Sequence, residues 1–288
     1  MPIGKNLGKV NMKRKIYDKL LQWKNEKDGT TALMIEGARR IGKSYIAERF
    51  AEKEYESYIL IDFSKAPARV RGWFDEYLED IDTLLQNIQL HYKKKLTPRK
   101  SLIIFDEVQK CPRAREAIKA LVEDHRFDYI ETGSLISIKK NVDDILIPSE
   151  EDGIEMYPMD FEEFMWAMGD EVMYPYIRKC FETNKPMGDF HREAMRYFRQ
   201  YLIVGGMPQA VKEYVNSKDF NKVDAIKRQI LRLYRNDIKK YSGPAKTKVA
   251  SIFEAIPGQL QKNEKKFKLA DLNDEARMRD YDSAFFWL

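Results

Sequence analysis

Residues 37–44 read GARRIGKS: two glycines bracket four residues, and a lysine and a serine follow at once. That spacing can hold phosphate. Gly37 and Gly42 let the backbone curl so that successive N–H groups point inward and form an anion nest. A helix beginning near Lys43 adds its positive N-terminal end. Lys43 would reach the β- and γ-phosphates, and the Ser44 hydroxyl would ligate Mg²⁺. Ala38, Arg39, Arg40 and Ile41 make up the rest of the curl, and Tyr45 follows on the first turn of the helix. The plain alternative is a strand–helix turn with an incidental lysine, and the flanks argue against it. TALMIEG, residues 31–37, is a short apolar run ending at glycine, as a buried strand would be. SYIAERFAEKEY follows with Ile46, Ala47 and Phe50 at helical spacing.

A second cluster lies in SLIIFDEVQKCP, residues 101–112. Residues 102–105 are an apolar strand, and Asp106 and Glu107 follow at its C-terminal end, where ligands bind in open α/β sheets. Asp106 suits a hold on the Mg²⁺ ion, and Glu107 suits the base that orients or activates an attacking water. Lying 69 positions after Gly37, the acid pair gains weight from the loop before it. A third strand candidate, FDYIETGSLIS at residues 127–137, carries the polar group Thr132, Gly133, Ser134. Thr132 or Ser134 could sit between Glu107 and the γ-phosphate and report its presence. The same residues read equally as a turn rich in small polar side chains.

Positioning these groups requires a sheet. Further strands are expected at residues 57–64 and 154–159, with helical stretches between, the pattern of an α/β sheet covered on both faces. Before the core, Ile16, Leu20, Leu21 and Trp23 share a helical face that Asp28 and Gly29 terminate. Residues 71–101 read as one or two helices.

Taken together, GARRIGKS, IIFDEVQKCPRAREAIKALV, DYIETGSLISIKKN, YPMDFEEFMWA and YLIVGGMPQAV resemble one family. It is the bacterial and archaeal AAA-type ATPases that carry a further domain of unknown function at the C-terminus. The resemblance runs from about Lys13 to the chain end. It implies a P-loop fold of the ASCE type, with a strand between the two nucleotide motifs. It also implies Asp106 and Ser44 at magnesium, Glu107 and Lys43 as catalytic groups, Thr132 or Ser134 as sensor, and ATP with Mg²⁺ as ligands. YPMDFEEF marks the exit into a helical lid. The expected organisation is an N-terminal helical segment (residues 1–30), a P-loop core (31–159), a helical lid (160–241) and a partial winged-helix-like segment (242–288).

Three departures from that family matter. The region IPSEEDGIEMYP lacks the arginine often found before Tyr-Pro. The lid segment reads GMPQ, so Gln209 stands where many lids carry an arginine that reaches the nucleotide. Neither arginine can be assigned, which favours slow intrinsic turnover. Arg39 and Arg40 could supply the charge from within the loop, or face solvent or the neighbouring strand. Third, the chain ends at YDSAFFWL, where family members continue into a nuclease-like domain. The expectation is a shortened chain whose apolar end needs a partner surface.

Bulk properties set outer limits. With 288 residues and 43% hydrophobic content, a substantial core can form. The formal net charge of +5 permits acidic partners without demanding them. Residues 221–270 hold thirteen Lys/Arg against four Asp/Glu, which would suit a DNA backbone or equally a solvated basic face. The two cysteines and three histidines form no cluster with metal-site spacing. No apolar h-region opens the chain and no run approaches the ~20 residues of a membrane helix, so a cytoplasmic protein without membrane contact is expected. The function expected is Mg-dependent ATP hydrolysis. The alternatives are a slow nucleotide switch, a DNA-associated regulator and, less favoured by the Asp106–Glu107 pair, a small-molecule kinase. Assembly into a homo-oligomer or with a protein partner is compatible with the resemblance.

Overall fold

The structure, a computed structural model, describes residues 12–134, 149–241, 243–262, 266–273 and 276–287. Strands β1 (Ala32–Gly37), β2 (Ser57–Asp62), β3 (Ser101–Asp106), β4 (Asp128–Ser134) and β5 (Glu151–Glu155) form a parallel sheet in the order β2-β3-β4-β1-β5. The α/β expectation holds, and β4 lies between the strand that feeds the glycine loop and the strand that ends in the acid pair.

Period-two alternation divides each central strand between two apolar layers. Leu33, Ile35, Leu102, Ile104 and Ile130 face helices α1 (Ile16–Lys27) and α2 (Lys43–Glu54), meeting Ile16, Leu20, Trp23, Ile46 and Phe50. Ala32, Met34, Ile103, Phe105 and Tyr129 face the other way. They pack with α3 (Ala68–Glu76), α4 (Ile81–Tyr92), α5 (Pro112–Glu116) and α6 (Ile118–Glu123). With both faces covered, β3 is buried at every position, which is why it reads as an unbroken apolar run. The segment between β2 and β3 holds two helices, and α1 ends at Asp28 in the left-handed conformation, as its sequence suggests.

The last strand is displaced from its expected place. It spans Glu151–Glu155, not residues 154–159. Met156 and Met159 are buried all the same: Met156 still donates its N–H to the Glu36 carbonyl of β1 just past the strand's end, whereas Met159 donates to Gly206, away from the sheet. The acidic residues 151 and 152 are tolerated on this edge strand because each has a partner. Arg115 of α5 holds Glu151, and Thr31 and Lys27 hold Asp152. The β4 expectation of residues 127–137 is met through Ser134, and residues 135–137 lie outside the described residues.

The chain divides into two compact units, Met1–Asp224 and Ala225–Leu288. Beyond the sheet, the first unit continues with α7 (Phe161–Ala167), α8 (Met173–Glu182), α9 (His191–Val204) and α10 (Pro208–Ser217). Asp160 and Glu163 form a reciprocal capping box at the start of α7. Gly205, at φ 76°, ends α9, and Pro208 opens α10 at a position where its missing N–H costs nothing. Between them Gly206 lies against the Met159 backbone, where an added Cβ would stand 2.1 Å from the Met159 carbonyl oxygen.

Most of α11 (Phe220–Tyr241) belongs to the second unit, with α12 (Lys246–Gln261) and α13 (Met278–Trp287). Ile238, Val249, Ile252 and Ala284 form its small core, and Phe285 packs edge-on against Phe267. Among the described residues this unit is helical and contains no strand, so the wing of the expected winged-helix-like segment is not formed there. The side chains of Phe286, Trp287 and Leu288 lie outside the described residues. Arg228, Arg232 and Lys239 are exposed on α11.

Candidate functional site

The glycine loop connects β1 to α2, as its flanks require. Gly37 has φ 148° and Gly42 φ 97°, and Arg40 between them is left-handed at φ 66°. Gly37 is further constrained by close approach, since a Cβ there would lie 2.2 Å from the Met156 carbonyl oxygen. Gly42 is the N-cap of α2 and offers no side chain to its free N–H groups, so that helix end remains open to an anion. Ile41 is fully buried, anchoring the loop to the core.

Lys43 is 6% exposed and bends back over the loop, its ammonium donating to the Gly37 and Ala38 carbonyls at 2.9 and 2.8 Å. Burial lowers its pKa to about 8, opposed by the carboxylates of Glu107 and Asp106 and assisted by Arg39. The next residue reaches across the sheet: Ser44 Oγ donates to Asp106 Oδ1 at 2.6 Å. Thr132 Oγ1 donates to the same oxygen at 2.5 Å. The Glu107 backbone N–H in turn donates to Thr132 Oγ1 at 3.3 Å. Asp106 is thus the point where loop, acid pair and β4 converge.

Thr132 and Ser134 are separated by register. Phe105 pairs with Glu131, so Thr132 falls beside Asp106, whereas Ser134 runs past the end of β3 and pairs with Gly37. Thr132 is therefore the residue brought to the acid pair. Glu107 adopts φ 55°, an uncommon conformation for a residue with a side chain and one that clusters at functional positions. Its carboxylate accepts from Gln109 Nε2 at 2.5 Å. Arg40 is exposed, the solvent-facing alternative, but it is tied at its tip. Its guanidinium donates to Gln209 Oε1 of α10 at 3.1 Å. Tyr45 is 42% exposed on the first turn of α2. It helps to line a cavity of about 450 Å³ beside Gly42, with Met12, Arg14, Pro208 and Gln209 among the other walls.

Sequence reasoning missed two groups. Arg14, in the polar run MKRK, is 5% exposed and bonds to the glycine loop. Glu131 is fully buried beneath the site on β4, and an acid inside the apolar run FDYIE was a visible signal. Arg14 gave no such signal, because one cation among several marks no partner.

Residues 29–165 match the family model of an AAA domain. The chain carries an AAA domain. Residues 195–288 match a domain of unknown function, DUF8612. No curated protein matches the chain. Among solved structures the chain is similar to a Walker-type ATPase of Pyrococcus abyssi, at 15% identity and TM-score 0.49 over 95% of this chain and 89% of that one. It is also similar to AMPPCP-bound DnaA from Aquifex aeolicus, at 12% identity and TM-score 0.45 over 95% and 86%. A third is the Aeropyrum pernix ORC1 protein in complex with DNA, at 10% identity and TM-score 0.41 over 96% and 85%. Among the described residues no helix is long and apolar enough to cross a membrane.

Proposed function

We propose that this chain binds Mg-ATP at residues 37–44 and hydrolyses it. The observation that carries the reading is the convergence on Asp106. The serine after the loop lysine and the threonine of the intervening strand both hydrogen-bond one carboxylate oxygen. That leaves a carboxylate and two hydroxyl oxygens at the mouth of a helix N-terminus, a donor set suited to a hard divalent cation beside phosphate. Ser44 and Asp106 would hold Mg²⁺, which supplies charge neutralisation at the β- and γ-phosphates. Lys43 would release the Gly37 and Ala38 carbonyls and pair with those phosphates. The adenosine would occupy the cavity beside Gly42, within the usual volume range of ligand sites.

Glu107 would turn from Gln109 to orient the attacking water and accept its proton, and Thr132 would couple that backbone to Asp106. The helical region from residue 160 onward would act as the lid, touching the loop through Gln209 and Arg40. A nucleotide-held switch with very slow turnover is the second reading. It is favoured by Gln209, which brings an uncharged amide to the loop.

Phosphate release from Mg-ATP, measured beside nucleotide binding for wild type, Lys43→Ala and Glu107→Gln, separates these readings. Turnover by wild type, loss of binding in Lys43→Ala and binding without turnover in Glu107→Gln are the expected results. Tight binding with no release in wild type selects the switch. No binding by wild type refutes both.

A further inference from the structure

Arg14 lies outside the residues matched by the AAA domain, yet its guanidinium is buried against that domain's loop. Its three bonds go to three parts of the chain. Nη1 donates to the Ile41 carbonyl at 2.8 Å, Nη2 to the Tyr157 carbonyl at 2.5 Å, and Nε to Glu163 Oε1 at 3.1 Å. Glu163 is itself fixed, because it accepts the backbone N–H groups of Lys15 at 2.7 Å and Asp160 at 3.1 Å. The guanidinium therefore has one orientation available.

The Ile41–Gly42 peptide is planar and trans, so the carbonyl of Ile41 and the N–H of Gly42 point in opposite directions. Holding that carbonyl turns the Gly42 N–H away from Arg14. Gly42 sits at φ 97°, and glycine has no Cβ to resist rotation of this peptide. The turn of this peptide is shared by ψ of Ile41 and φ of Gly42, so only the Ile41 side is restrained by a side chain, and the bond from Arg14 supplies the partner that sets the direction of the N–H.

We propose that Arg14 is a positioning residue for the phosphate loop. It fixes the Ile41 carbonyl outward, aims the Gly42 N–H at the phosphate and ties that orientation through Glu163 to the first turn of α7. A cation from the N-terminal segment thus completes the anion nest without touching the nucleotide phosphates. Lysine cannot replace it, because a single ammonium lacks the planar fork that serves a carboxylate and two carbonyls in fixed directions. The role rests on residues 37–44 being the phosphate loop.

The test compares wild type, Arg14→Lys, Glu163→Gln and Lys43→Ala. Mg-ATP affinity is measured by calorimetry. Amide hydrogen exchange of nucleotide-free protein is followed in residues 37–44 and, as internal control, residues 101–106, each variant being held equally far below its own melting midpoint. Arg14→Lys is expected to weaken Mg-ATP binding about tenfold, the size of one lost charge-assisted hydrogen bond. It should speed exchange in residues 37–44 and leave residues 101–106 unchanged. Glu163→Gln, which keeps shape and packing, should give the same pattern at smaller size and carries the test if Arg14→Lys fails to fold. Binding within twofold of wild type with unchanged loop exchange overturns the proposal. So does acceleration that is equal in both segments, the mark of a purely structural residue. If wild type does not bind Mg-ATP, the nucleotide reading fails, and the exchange data alone still decide whether Arg14 orders the loop.

Discussion

Glu131→Gln should change how the stability of this protein depends on pH. Glu131 is fully buried on β4, and neither of its oxygens meets an N–H donor. Its neighbour Glu151 is gripped by Arg115 through two bonds of 3.0 and 2.7 Å. One arginine therefore balances one of two adjacent carboxylates, and Glu36 adds a further negative charge near that arginine. Burial first, and Glu151 second, push the Glu131 carboxyl well above the ordinary carboxylate range, with Arg115 acting against them. The folded protein keeps this proton, while the unfolded chain loses it near pH ~4.3. Above that value the folded state binds one more proton than the unfolded state. The free energy of unfolding then falls as pH rises, by about 1.4 kcal/mol per pH unit for one proton. The window opens at the unfolded value and closes at the raised folded one. The substituted amide cannot ionise and still offers an N–H to Glu151, so the variant should lack this slope. Urea titrations followed by tryptophan fluorescence between pH 5 and 7.5 report on it, since Trp23 and Trp73 lie buried on opposite faces of the sheet. The difference between the two stability curves should fall as pH rises above the unfolded value, with a slope of at most one proton. Parallel curves would refute the reasoning.

Three further outcomes are expected. Arg115→Met should cost about 3–5 kcal/mol at neutral pH, because it leaves Glu151 buried without its partner; a loss below 1 kcal/mol in urea unfolding counts against that. Gly206→Ala forces a Cβ to within 2.1 Å of the Met159 carbonyl oxygen. Neither backbone can yield, and the melting midpoint should drop by several degrees, whereas an unchanged midpoint would show that the segment relaxes. With the Lys43 pKa lowered to about 8 by burial, Mg-ATP affinity should weaken as pH rises through 8, approaching tenfold per unit beyond it. Affinity that stays flat between pH 7.5 and 9.5 would mean the ammonium is not discharged.

Much of the AAA domain was legible because its candidate chemistry is contiguous. The loop, the strand before it and the helix after it occupy residues 32–54, and the positive φ of Gly37 and Gly42 follows from a curl that only their residue type accepts without strain. The acid pair was legible for the same reason, an apolar strand ending abruptly in charge. The fifth strand misled because apolarity marks burial and not pairing. Met159 is buried off the sheet, its N–H on Gly206, while acidic residues 151 and 152 join the ladder with partners from elsewhere.

Local spacing alone determined that residues 37–44 form a tight glycine turn between a strand and a helix and that Asp106 and Glu107 stand at the end of a central strand. Those features depend on neighbours a few residues away. Tertiary structure decided the rest. The register of β4 on β3 selected Thr132 over Ser134 as the partner of Asp106, because one step of two residues carries a side chain past the end of the neighbouring strand. Folding brought Gln209 to Arg40, and Arg14 to a glutamate 149 positions away and to a carbonyl that every residue type possesses. A side chain's type states which bonds it can make. Which donor meets which acceptor is settled only when the sheet order and helix packing bring distant backbone within about 3 Å.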